Sequence, residues 1–522
     1  MTYGSLNFDL CIIGGGINGA GIARDAAGRG IRTVLIEKDD LGHATSSSST
    51  KLIHGGLRYL EFYEFGLVRS ALKERNVMLK IAPHIVKPMS FVLPHNKKLR
   101  PKWMIRMGLY LYDHLASRAR GLKRSKQVRL RRHKLGEPLK KQFGSGFIYS
   151  DCWVDDSRLV VLNAMDARDK GADIRVRTKV TSVERKGGRW LITVKDMLTH
   201  QSYCITAKMV VNAAGPWVSD LLKSNKLEHE NTPHLRLVKG SHIIVPKLYD
   251  GEQSYVLQQA DGRITFVIPY EGRFTLIGTT EELYEGDPAM AMIDAAEIDY
   301  LCAAVNAAFH KVVGPNDILW TYSGVRPLIE DGAKDSREVT RDYRLEMDED
   351  TAAPLLNVFG GKITTYRVLA EKAVNKVIGA LHIKNASRNW TAETPLPGGD
   401  FLAHEKDKLL REMTMKYGFL SEPLLSRYVN QYGLEITKLM EDASCVADMG
   451  RHFGHGLYVR EVAYLIENEF ALTAVDILFR RTKIGLLFSD AEFAALEQWM
   501  NEHKEAFRSS GEPASRPEGM AA

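Results

Sequence analysis

The feature that most constrains this chain lies in its first forty residues. Residues Phe8 to Ile13 read as a buried strand, and a glycine-rich turn follows over residues 14–21. A helix that ends near Gly30 and a second strand that ends in Glu37 complete the unit. A strand, a glycine turn, a helix, a strand and a terminal acid within about thirty residues predict a dinucleotide-binding βαβ unit.

Each part of this unit has a physical reason. Gly14 allows the tight turn, Gly16 lets the backbone approach a pyrophosphate, and Gly19 lets the helix pack closely on the sheet. The free N–H groups at the start of the helix face the phosphates, and Glu37 can accept hydrogen bonds from a ribose. The residues of this unit that we expect to bind the cofactor are Gly14, Gly15, Gly16, Asn18, Gly19 and Glu37.

The number and position of such units favour FAD over NAD. No second GxGxxG follows a strand and opens a helix anywhere in the 522 residues. A flavoenzyme that is reduced by NAD(P)H often carries two such sites. With one unit near the N-terminus of a long chain, we expect FAD, reduced by a small substrate and reoxidised by an acceptor other than NAD.

A serine-rich segment, ATSSSSTKLIHGG, begins at Ala44, shortly after the first unit. Its hydroxyl groups and exposed backbone can bind phosphate or the flavin ring, and a solvated linker is the alternative interpretation. The segment lies soon after the ribose-binding strand, which favours a cofactor wall. The candidates in it are Thr45, Ser46, Ser47, Ser49, Lys51, Leu52 and His54.

Three later segments fit the same cofactor. Val180 lies in an alternating strand, where it could cover an adenine. Small residues follow a buried strand at 209–212, and Gly360 and Gly361 follow another strand and open a helix. Small side chains let the backbone approach a ligand, although a packed turn would use them too. The candidates here are Ala214, Gly215, Trp217, Gly361, Lys362, Ile363 and Thr364.

Longer motifs extend from about residue 12 to about residue 367. They include IIGGGINGAGIARDAAGRG, SSSSTKLIHGGLRYLE, YSDCWVDDSRL, NAAGPWV, KGSHIIVP, WTYSGVRPL, TRDY and VFGGKITTYR. On these motifs the chain closely resembles the FAD-dependent glycerol-3-phosphate dehydrogenases of the aerobic respiratory type. The resemblance implies a D-amino-acid-oxidase-like FAD fold and oxidation of sn-glycerol 3-phosphate to dihydroxyacetone phosphate, with electrons passed to membrane quinone. Glycerol-3-phosphate oxidases share many of the motifs and give their electrons to oxygen, which is the alternative.

The substrate of such an enzyme is a small dianion, which calls for arginine forks and lysine. The resemblance implies a cationic site built from positions inside the family motifs. The expected substrate-binding residues are Arg58, Tyr59, Arg326, Arg341 and Lys362.

A general base must lie within hydrogen-bond reach of the substrate hydroxyl and titrate near the working pH. His54 and His242 are the two candidates, and either could instead only pack or bond the flavin. An alkoxide stabilised by arginine, formed with water or Lys362, is a third possibility. We therefore expect His54, His242, Arg326 and Lys362 to be the catalytic residues, and we expect no metal.

The fold class follows as α/β, a Rossmann-like FAD-binding domain of the D-amino-acid-oxidase type with an antiparallel substrate region and a C-terminal helical domain. Strand patterns separated by turns such as DGR and EGR support the antiparallel sheet. The predicted boundaries are an oxidoreductase domain over 1–385, with FAD-binding parts 1–90, 150–225 and 348–385 and a substrate region 226–347; a linker over 386–400; a helical domain over 401–507; and a disordered tail over 508–522.

The charge of the chain is unevenly distributed. Sixteen Lys and Arg against two acids give residues 97–141 a net charge of +14, whereas the whole chain carries +7 and the remainder therefore −7. The same block contains WMIRMGLYLYDHL, and apolar and aromatic residues beside basic ones are typical of an interfacial membrane segment. A solvated basic helix beside a core helix is the alternative interpretation. No nucleic-acid-binding motif accompanies the block, so we expect no nucleic-acid partner; a non-catalytic flavin protein that binds RNA is the rival hypothesis.

The remaining expectations concern location and assembly. Five scattered cysteines without CxxC favour reduced thiols in a cytosolic setting; we expect no signal peptide, and we find no window of about 18 apolar residues. We therefore expect a peripheral, monotopic protein on the cytoplasmic face of the cell membrane, with glycerol 3-phosphate, quinone and anionic lipid as partners. A homodimer is the expected assembly.

Overall fold

The computed structural model describes residues 6–95, 101–330, 343–348, 353–384, 387 and 390–510. Its strands are β1 Asn7–Ile13, β2 Thr33–Ile36, β3 Leu52–Ile53, β4 Val86–Pro94, β5 Lys126–Val128, β6 Gly146–Val154, β7 Asp173–Arg175, β8 Thr178–Lys186, β9 Arg189–Asp196, β10 Ser202–Asn212, β11 Leu235–Pro246, β12 Ser254–Gln258, β13 Ile264–Tyr270, β14 Phe274–Gly278, β15 Glu282–Leu283, β16 Trp320–Ile329, β17 Tyr343–Asp348, β18 Leu355–Gly360, β19 His452–Gly454 and β20 Leu457–Tyr458. The helices are α1 Ile17–Gly28, α2 Phe65–Ile81, α3 Lys102–His114, α4 Asp156–Asp169, α5 Val218–Ser224, α6 Ala295–Ala308, α7 Tyr366–Ala380, α8 Lys406–Lys416, α9 Glu422–Tyr432, α10 Ile436–Met440, α11 Val459–Glu469 and α12 Asp490–Ser510. Short 3₁₀ turns connect several of them.

The first sheet carries the βαβ unit that the glycine motif predicts. Its strands lie in the order β17-β18-β10-β1-β2-β7, and all but the edge strand β17 are parallel. Most residues of β1 and β2 and the last four residues of β10 are buried, as expected for a sheet covered on both faces. Helices α1, α4 and α7 pack on one face, and the hairpin β8–β9 and α5 cover the other.

The second sheet has ten strands. Its main path is β15-β11-β14-β13-β12-β4-β6-β3, with β16 paired along the whole of β11. All of its pairs are antiparallel except β4 with β12. The predicted antiparallel substrate region is therefore present, and it includes strands from residues 52–154 that the sequence did not assign to it.

A separate hydrophobic core lies in the C-terminal part of the chain. Buried side chains between Leu409 and Met500 form it, and they come from helices α8 to α12. The predicted helical character is confirmed, with two features that periodicity did not indicate: the small hairpin β19–β20 and a π-helical turn over Asp476–Arg481. The predicted tail overlaps the last residues of α12, and its remainder lies outside the described residues.

The C-terminal core is tied to the first domain by buried ion pairs. The two Asp40 oxygens each accept a hydrogen bond of 2.8 Å from Arg481, and Arg480 also donates to this carboxylate. Arg158 makes two bonds of 2.8 Å to Glu469. Burial alone would raise the pKa of Asp40, but the charges of the two arginines prevail and lower it to about 2.

His84 also lies at this boundary, and it makes the stability of the protein sensitive to acid. The ring is fully buried, and neither nitrogen has a hydrogen-bond partner among the described residues. Burial, followed by the charges of Arg158 and Lys406, holds the pKa of His84 well below its ordinary value of 6.5. A histidine whose pKa is lowered by folding stabilises the protein above pH 6.5, and this stabilisation is lost as the pH falls below that value.

We therefore expect His84→Leu to remove part of the acid sensitivity. Between pH 6.5 and 5, the free energy of unfolding of the wild-type protein should fall faster than that of the variant, by up to about 1.4 kcal/mol per pH unit for one proton. Melting temperatures at pH 7.5 and 5.0 measure the difference. His310→Leu makes the same substitution at an exposed histidine and provides the control for the exchange itself. Parallel pH profiles of wild type and His84→Leu would contradict the assignment.

No helix in the part of the chain that the structure describes is long and apolar enough to cross a membrane.

Candidate active site

A cavity of about 670 Å³ opens at the carboxyl ends of β1, β2, β10 and β18. This edge of a parallel sheet is where ligands bind in doubly wound folds. The predicted site residues that line the cavity are Gly14, Gly16, Asn18, Glu37, Thr45, Ser46, Ser49, Leu52, His54, Tyr59, Val180, Ala214, Gly215, Trp217, Arg326, Gly361, Lys362, Ile363 and Thr364. Those placed outside its lining are Gly15, Gly19, Ser47, Lys51, Arg58 and His242. Arg341 lies outside the described residues.

The glycine turn has the geometry that its motif predicts. Gly14 has a φ of +111°, and a Cβ there would lie 2.5 Å from the backbone oxygen of Ala213 on the neighbouring strand end. A Cβ on Gly19 would lie 1.9 Å from the oxygen of Gly14. The turn therefore excludes side chains at both positions, and α1 packs directly against the strand that precedes it.

The N-terminus of α1 points its backbone donors into the cavity. Gly16 is the residue before the first helical turn and carries no capping side chain. Ser46, from the serine-rich segment, accepts a hydrogen bond of 3.0 Å from the backbone nitrogen of Ile17. The serine segment therefore forms a wall across the start of the helix, where an anionic phosphate is favoured.

Glu37 lies at the end of β2, as the fingerprint requires. Its carboxylate accepts bonds from the backbone nitrogens of Gly15 at 2.6 Å and Asp39 at 2.8 Å. Burial raises the pKa of Glu37 to about 7, and the two backbone donors oppose that rise. An acid held here, facing the cavity, is suited to accept hydrogen bonds from ribose hydroxyls.

Two features at the other end of the cavity fit a flavin ring. Gly361 has a φ of +104° at the end of β18, and Asn18 donates a bond of 3.2 Å to the backbone oxygen of Gly360. The side-chain oxygen of Asn18 is buried and has no hydrogen-bond partner among the described residues. A buried acceptor beside a glycine cradle requires a donor from the ligand, and a flavin carries one.

A cationic group lies at the substrate end of the cavity. Arg326 donates a bond of 3.3 Å to the hydroxyl of Thr279. Glu281 follows Thr279 by two residues. One of its carboxylate oxygens lies 3.8 Å from a guanidinium nitrogen of Arg326, and the other lies 3.7 Å from a guanidinium nitrogen of Arg58, so the carboxylate bridges the two guanidinium groups. Lys362 lies over the ring of Tyr59, 3.7 Å from its centre. The site therefore brings together most of the predicted cations.

The two histidines occupy different places. His54 lines the cavity, and its ring meets the edge of Phe266 with 6.4 Å between the ring centres. His242 is buried behind the wall, 3.0 Å from the hydroxyl of Thr50, and stacks on Tyr322. Burial, followed by the charges of Arg326 and Lys51, holds the pKa of His242 well below its ordinary value of 6.5, so the ring is neutral at physiological pH.

Lys51 and Arg58 do not lie where the predicted direct contacts, Lys51 with the cofactor and Arg58 with the substrate, would place them. Lys51 is buried and turned away from the cavity, because it forms an ion pair of 2.9 Å with Asp156 at the start of α4. Arg58 reaches the site through Glu281. Sequence reasoning missed Glu281; the only signal was a carboxylate directly after the paired threonines at the end of β14.

Fold and cavity together define an FAD-dependent oxidoreductase. Residues 9–349 match the family model described as FAD dependent oxidoreductase, and residues 389–512 match the C-terminal domain of alpha-glycerophosphate oxidase. The predicted D-amino-acid-oxidase type of fold and the FAD cofactor are thereby confirmed.

Similar proteins show which group of FAD-dependent oxidoreductases the chain belongs to. A relative from Brucella abortus (strain 2308), named D-erythritol 1-phosphate dehydrogenase, is 48% identical over 94% of this chain and 97% of its own. The aerobic glycerol-3-phosphate dehydrogenase of Escherichia coli (strain K12) is 46% identical over 95% of this chain and 97% of its own. A solved glycerol-3-phosphate dehydrogenase of Bacillus halodurans in complex with FAD superimposes with a TM-score of 0.73 at 28% identity, over 98% of this chain and 97% of that one. The chain belongs to the family of FAD-dependent glycerol-3-phosphate dehydrogenases.

Proposed function

We propose that this protein oxidises sn-glycerol 3-phosphate to dihydroxyacetone phosphate and passes the electrons to a membrane quinone. The observation that carries the proposal is the cationic group at the substrate end of the FAD cavity. Arg58, Arg326 and Lys362 supply three positive charges, and Glu281 supplies one negative charge. The net charge of these described residues is therefore +2, which complements a phosphate dianion.

The chemistry requires a hydride acceptor and a proton acceptor. Bound FAD supplies the acceptor for the hydride that leaves the secondary alcohol carbon. His54 is our choice for the proton, because it lines the cavity whereas His242 lies behind the wall. His242 instead positions Thr50 and adds no charge, since its low pKa keeps the ring neutral. Arg326 and Lys362 would stabilise negative charge that develops on the alcohol oxygen.

A longer polyol phosphate is a second candidate substrate. The Brucella abortus relative, named for D-erythritol 1-phosphate, matches this chain at 48% identity. Both compounds present a phosphate monoester and secondary alcohols, so the cationic group suits either. Comparing kcat/KM for the two substrates with one protein preparation decides between them.

An anaerobic spectrum tests the reaction directly. The purified protein should show an oxidised-flavin spectrum that bleaches on addition of glycerol 3-phosphate. Admission of air then separates an oxidase, which reoxidises quickly, from a dehydrogenase that waits for quinone. A flavin spectrum that neither polyol phosphate bleaches would contradict the substrate assignment while leaving the fold and cofactor intact.

An exposed apolar surface supports attachment to a membrane. Helix α3 buries Ile105 and Leu109 on its inner face, whereas its outer side exposes large apolar residues. Neighbouring exposed aromatic residues precede and begin α2, and the turn that carries them packs against α3. This surface, which we call the apolar face, consists of Phe62, Tyr63, Phe65, Trp103, Met104, Met107, Tyr110 and Leu111.

The apolar face has the composition of an interfacial segment. Apolar and aromatic groups would enter the boundary of the lipid layer, and the exposed Lys102 and Arg106 would meet anionic headgroups. We infer that the protein binds the inner face of the cell membrane through this surface. The homodimer expected from the sequence stays a prediction.

We expect the double substitution Trp103→Glu and Met107→Glu to weaken binding to vesicles that contain anionic lipid. Two carboxylates in place of apolar side chains should lower the partition coefficient by at least about tenfold, or ~1.4 kcal/mol. Vesicle co-sedimentation measures it. The pair Val312→Glu and Met415→Glu is the control, because both residues are exposed but lie outside the apolar face. Equal losses in the two double variants would show that added charge, not this surface, is responsible.

A further inference from the structure

A buried carboxylate lies close to the substrate end of the FAD cavity, outside its lining. It belongs to Glu297 near the start of α6, which is 4% exposed. One of its oxygens accepts hydrogen bonds from the hydroxyls of Ser241 at 2.9 Å and Thr280 at 2.6 Å. The other accepts a bond of 3.0 Å from the backbone nitrogen of Asp294 and lies 2.8 Å from Nζ of Lys239. The two oxygens therefore serve different parts of the fold.

The start of α6 accounts for only one of these oxygens. Asp294 and Glu297 form a reciprocal capping box, in which each side chain accepts a bond from the backbone nitrogen of the other residue. Such a box needs a single acceptor atom at this position, and Gln supplies it as well as Glu. The other oxygen faces Ser241 and Thr280, both of which are buried. Hydrogen bonds to a carboxylate are strong in buried surroundings, so this oxygen holds both hydroxyls firmly.

A series of contacts leads from this oxygen to Arg326. The hydroxyl of Thr280 donates to Glu297 and accepts a bond of 2.8 Å from the backbone nitrogen of Ser241, so it is held from two sides. The hydroxyl of Thr279 donates to the backbone oxygen of Thr280 at 3.0 Å and accepts the bond from Arg326 at 3.3 Å. Thr279 lines the FAD cavity, whereas Thr280 and Glu297 do not. The carboxylate thus supports the guanidinium from outside the cavity.

The strand beneath leaves little room for Thr279 or Arg326 to move. A Cβ on Gly240 of β11 would lie 2.7 Å from the hydroxyl oxygen of Thr279 and 2.8 Å from a guanidinium nitrogen of Arg326. The next residue of β11, Ser241, lies 2.8 Å from the hydroxyl of Ser323 on β16, the strand that also carries Arg326. A displacement of Thr279 would therefore be transmitted to the guanidinium.

We propose that Glu297 and Thr280 are positioning residues for the oxidation of the polyol phosphate. They hold Thr279, and through Thr279 they hold the guanidinium of Arg326 toward the phosphate. The inference rests on the proposed function, in which Arg326 binds this phosphate. A guanidinium that is fixed before the ligand arrives loses less side-chain freedom on binding, so the phosphate binds more tightly and in one orientation.

Removing the hydroxyl of Thr280 tests the proposal. Thr280→Val keeps nearly the same shape but breaks the bond to Glu297, so kcat/KM for glycerol 3-phosphate should fall about tenfold while the flavin content stays at the wild-type level. Thr280→Ser keeps the hydroxyl, and its kcat/KM should stay within about threefold of wild type. Steady-state kinetics, flavin absorbance and melting curves measure these effects.

A matched control lies on the same sheet. Thr275 of β14 is equally buried, and its hydroxyl accepts a bond of 3.1 Å from the backbone nitrogen of Leu248. Thr275→Val removes a buried hydroxyl outside the contacts that lead to Arg326. It should lower the melting temperature but keep kcat/KM within about twofold of wild type.

Two further measurements show where the effect of Thr280 is transmitted. In Glu297→Gln, the amide oxygen can keep the bonds to Asp294 and Lys239, but the amide nitrogen then faces Thr280, whose hydroxyl loses its acceptor. This variant should reproduce the loss seen in Thr280→Val. When Arg326 is already alanine, Thr280→Val should lower kcat/KM by less than about twofold, because the guanidinium through which it acts is missing.

Two results would overturn the positioning role alone. One is a wild-type kcat/KM in Thr280→Val. The other is the full tenfold loss when Thr280→Val is added to Arg326→Ala, since the hydroxyl would then act by another route. A wild-type protein whose flavin is bleached by neither polyol phosphate would overturn the proposed function and the positioning role with it, and this failure is visible before any variant is made.

Discussion

Replacing Arg326 with alanine should lower kcat/KM for glycerol 3-phosphate by about 10²- to 10³-fold. The guanidinium lies at the substrate end of the FAD cavity, and it offsets the charge of Glu281 at 3.8 Å. Its removal takes away the phosphate ligand that we propose and leaves the carboxylate facing the incoming dianion. Steady-state kinetics measure the loss, and the flavin spectrum confirms that the cofactor is retained.

Two further variants separate a loss of phosphate binding from a non-specific effect of removing an arginine. Arg273→Ala changes an exposed arginine of the same sheet and should leave kcat/KM unchanged. The double variant Arg326→Ala, Glu281→Gln should recover part of the loss, because it removes the repelling carboxylate. A loss of less than tenfold in Arg326→Ala would place the phosphate elsewhere in the cavity.

The second large effect is expected at Gly19. A methyl group there would lie 1.9 Å from the backbone oxygen of Gly14, so α1 has to move away from β1 or the turn has to deform. Both movements displace the backbone donors that face the pyrophosphate. We expect Gly19→Ala to bind FAD at least about 10²-fold more weakly and to melt at a lower temperature, because the stabilisation by bound ligand is lost.

Flavin absorbance per protein chain and a melting curve measure both effects. Gly379→Ala is the matched control, because Gly379 lies in α7 and a methyl group there would have no heavy atom of another part of the described chain within 4 Å. That variant should keep its FAD and melt at the same or a slightly higher temperature, since alanine is favoured over glycine in a helix. A Gly19→Ala protein that keeps its flavin and its stability would show that the turn accommodates a methyl group that its geometry excludes.

The sequence predicted which residues of the cofactor half meet at one cavity, because that half is local. Gly14, Gly16, Gly19 and Glu37 lie within one βαβ unit, and the chemistry of the turn fixes their relative positions. The segments at 213–217 and 360–364 follow buried strands, so their place at the same edge of the sheet follows from strand order.

The remainder depends on contacts between distant parts of the chain. Lys51 lies among serines, and the sequence therefore predicted a cofactor contact for it. In the structure it forms an ion pair with Asp156, which is 105 positions away in the chain. Glu281 gains its place only from the pairing of the second sheet, which brings Arg58 and Arg326 to it. Neither periodicity nor a local motif contains that information. The stacking of Trp320 on Phe479 is hidden for the same reason, since the two rings meet only when the two domains pack.

The buried ion pairs between the two domains also bear on how the protein is made. Asp40 lies in the βαβ unit, and its partner Arg480 follows 440 residues later. At about 5–20 residues per second, roughly 20 to 90 seconds pass before the arginine is synthesised. During that interval the carboxylate has no counter-charge from this pair and is costly to bury. We therefore expect the nucleotide-binding half to reach its final packing only after translation has delivered the C-terminal helical domain, and a ribosome stalled before residue 480 to leave this half exposed to chaperones and proteases.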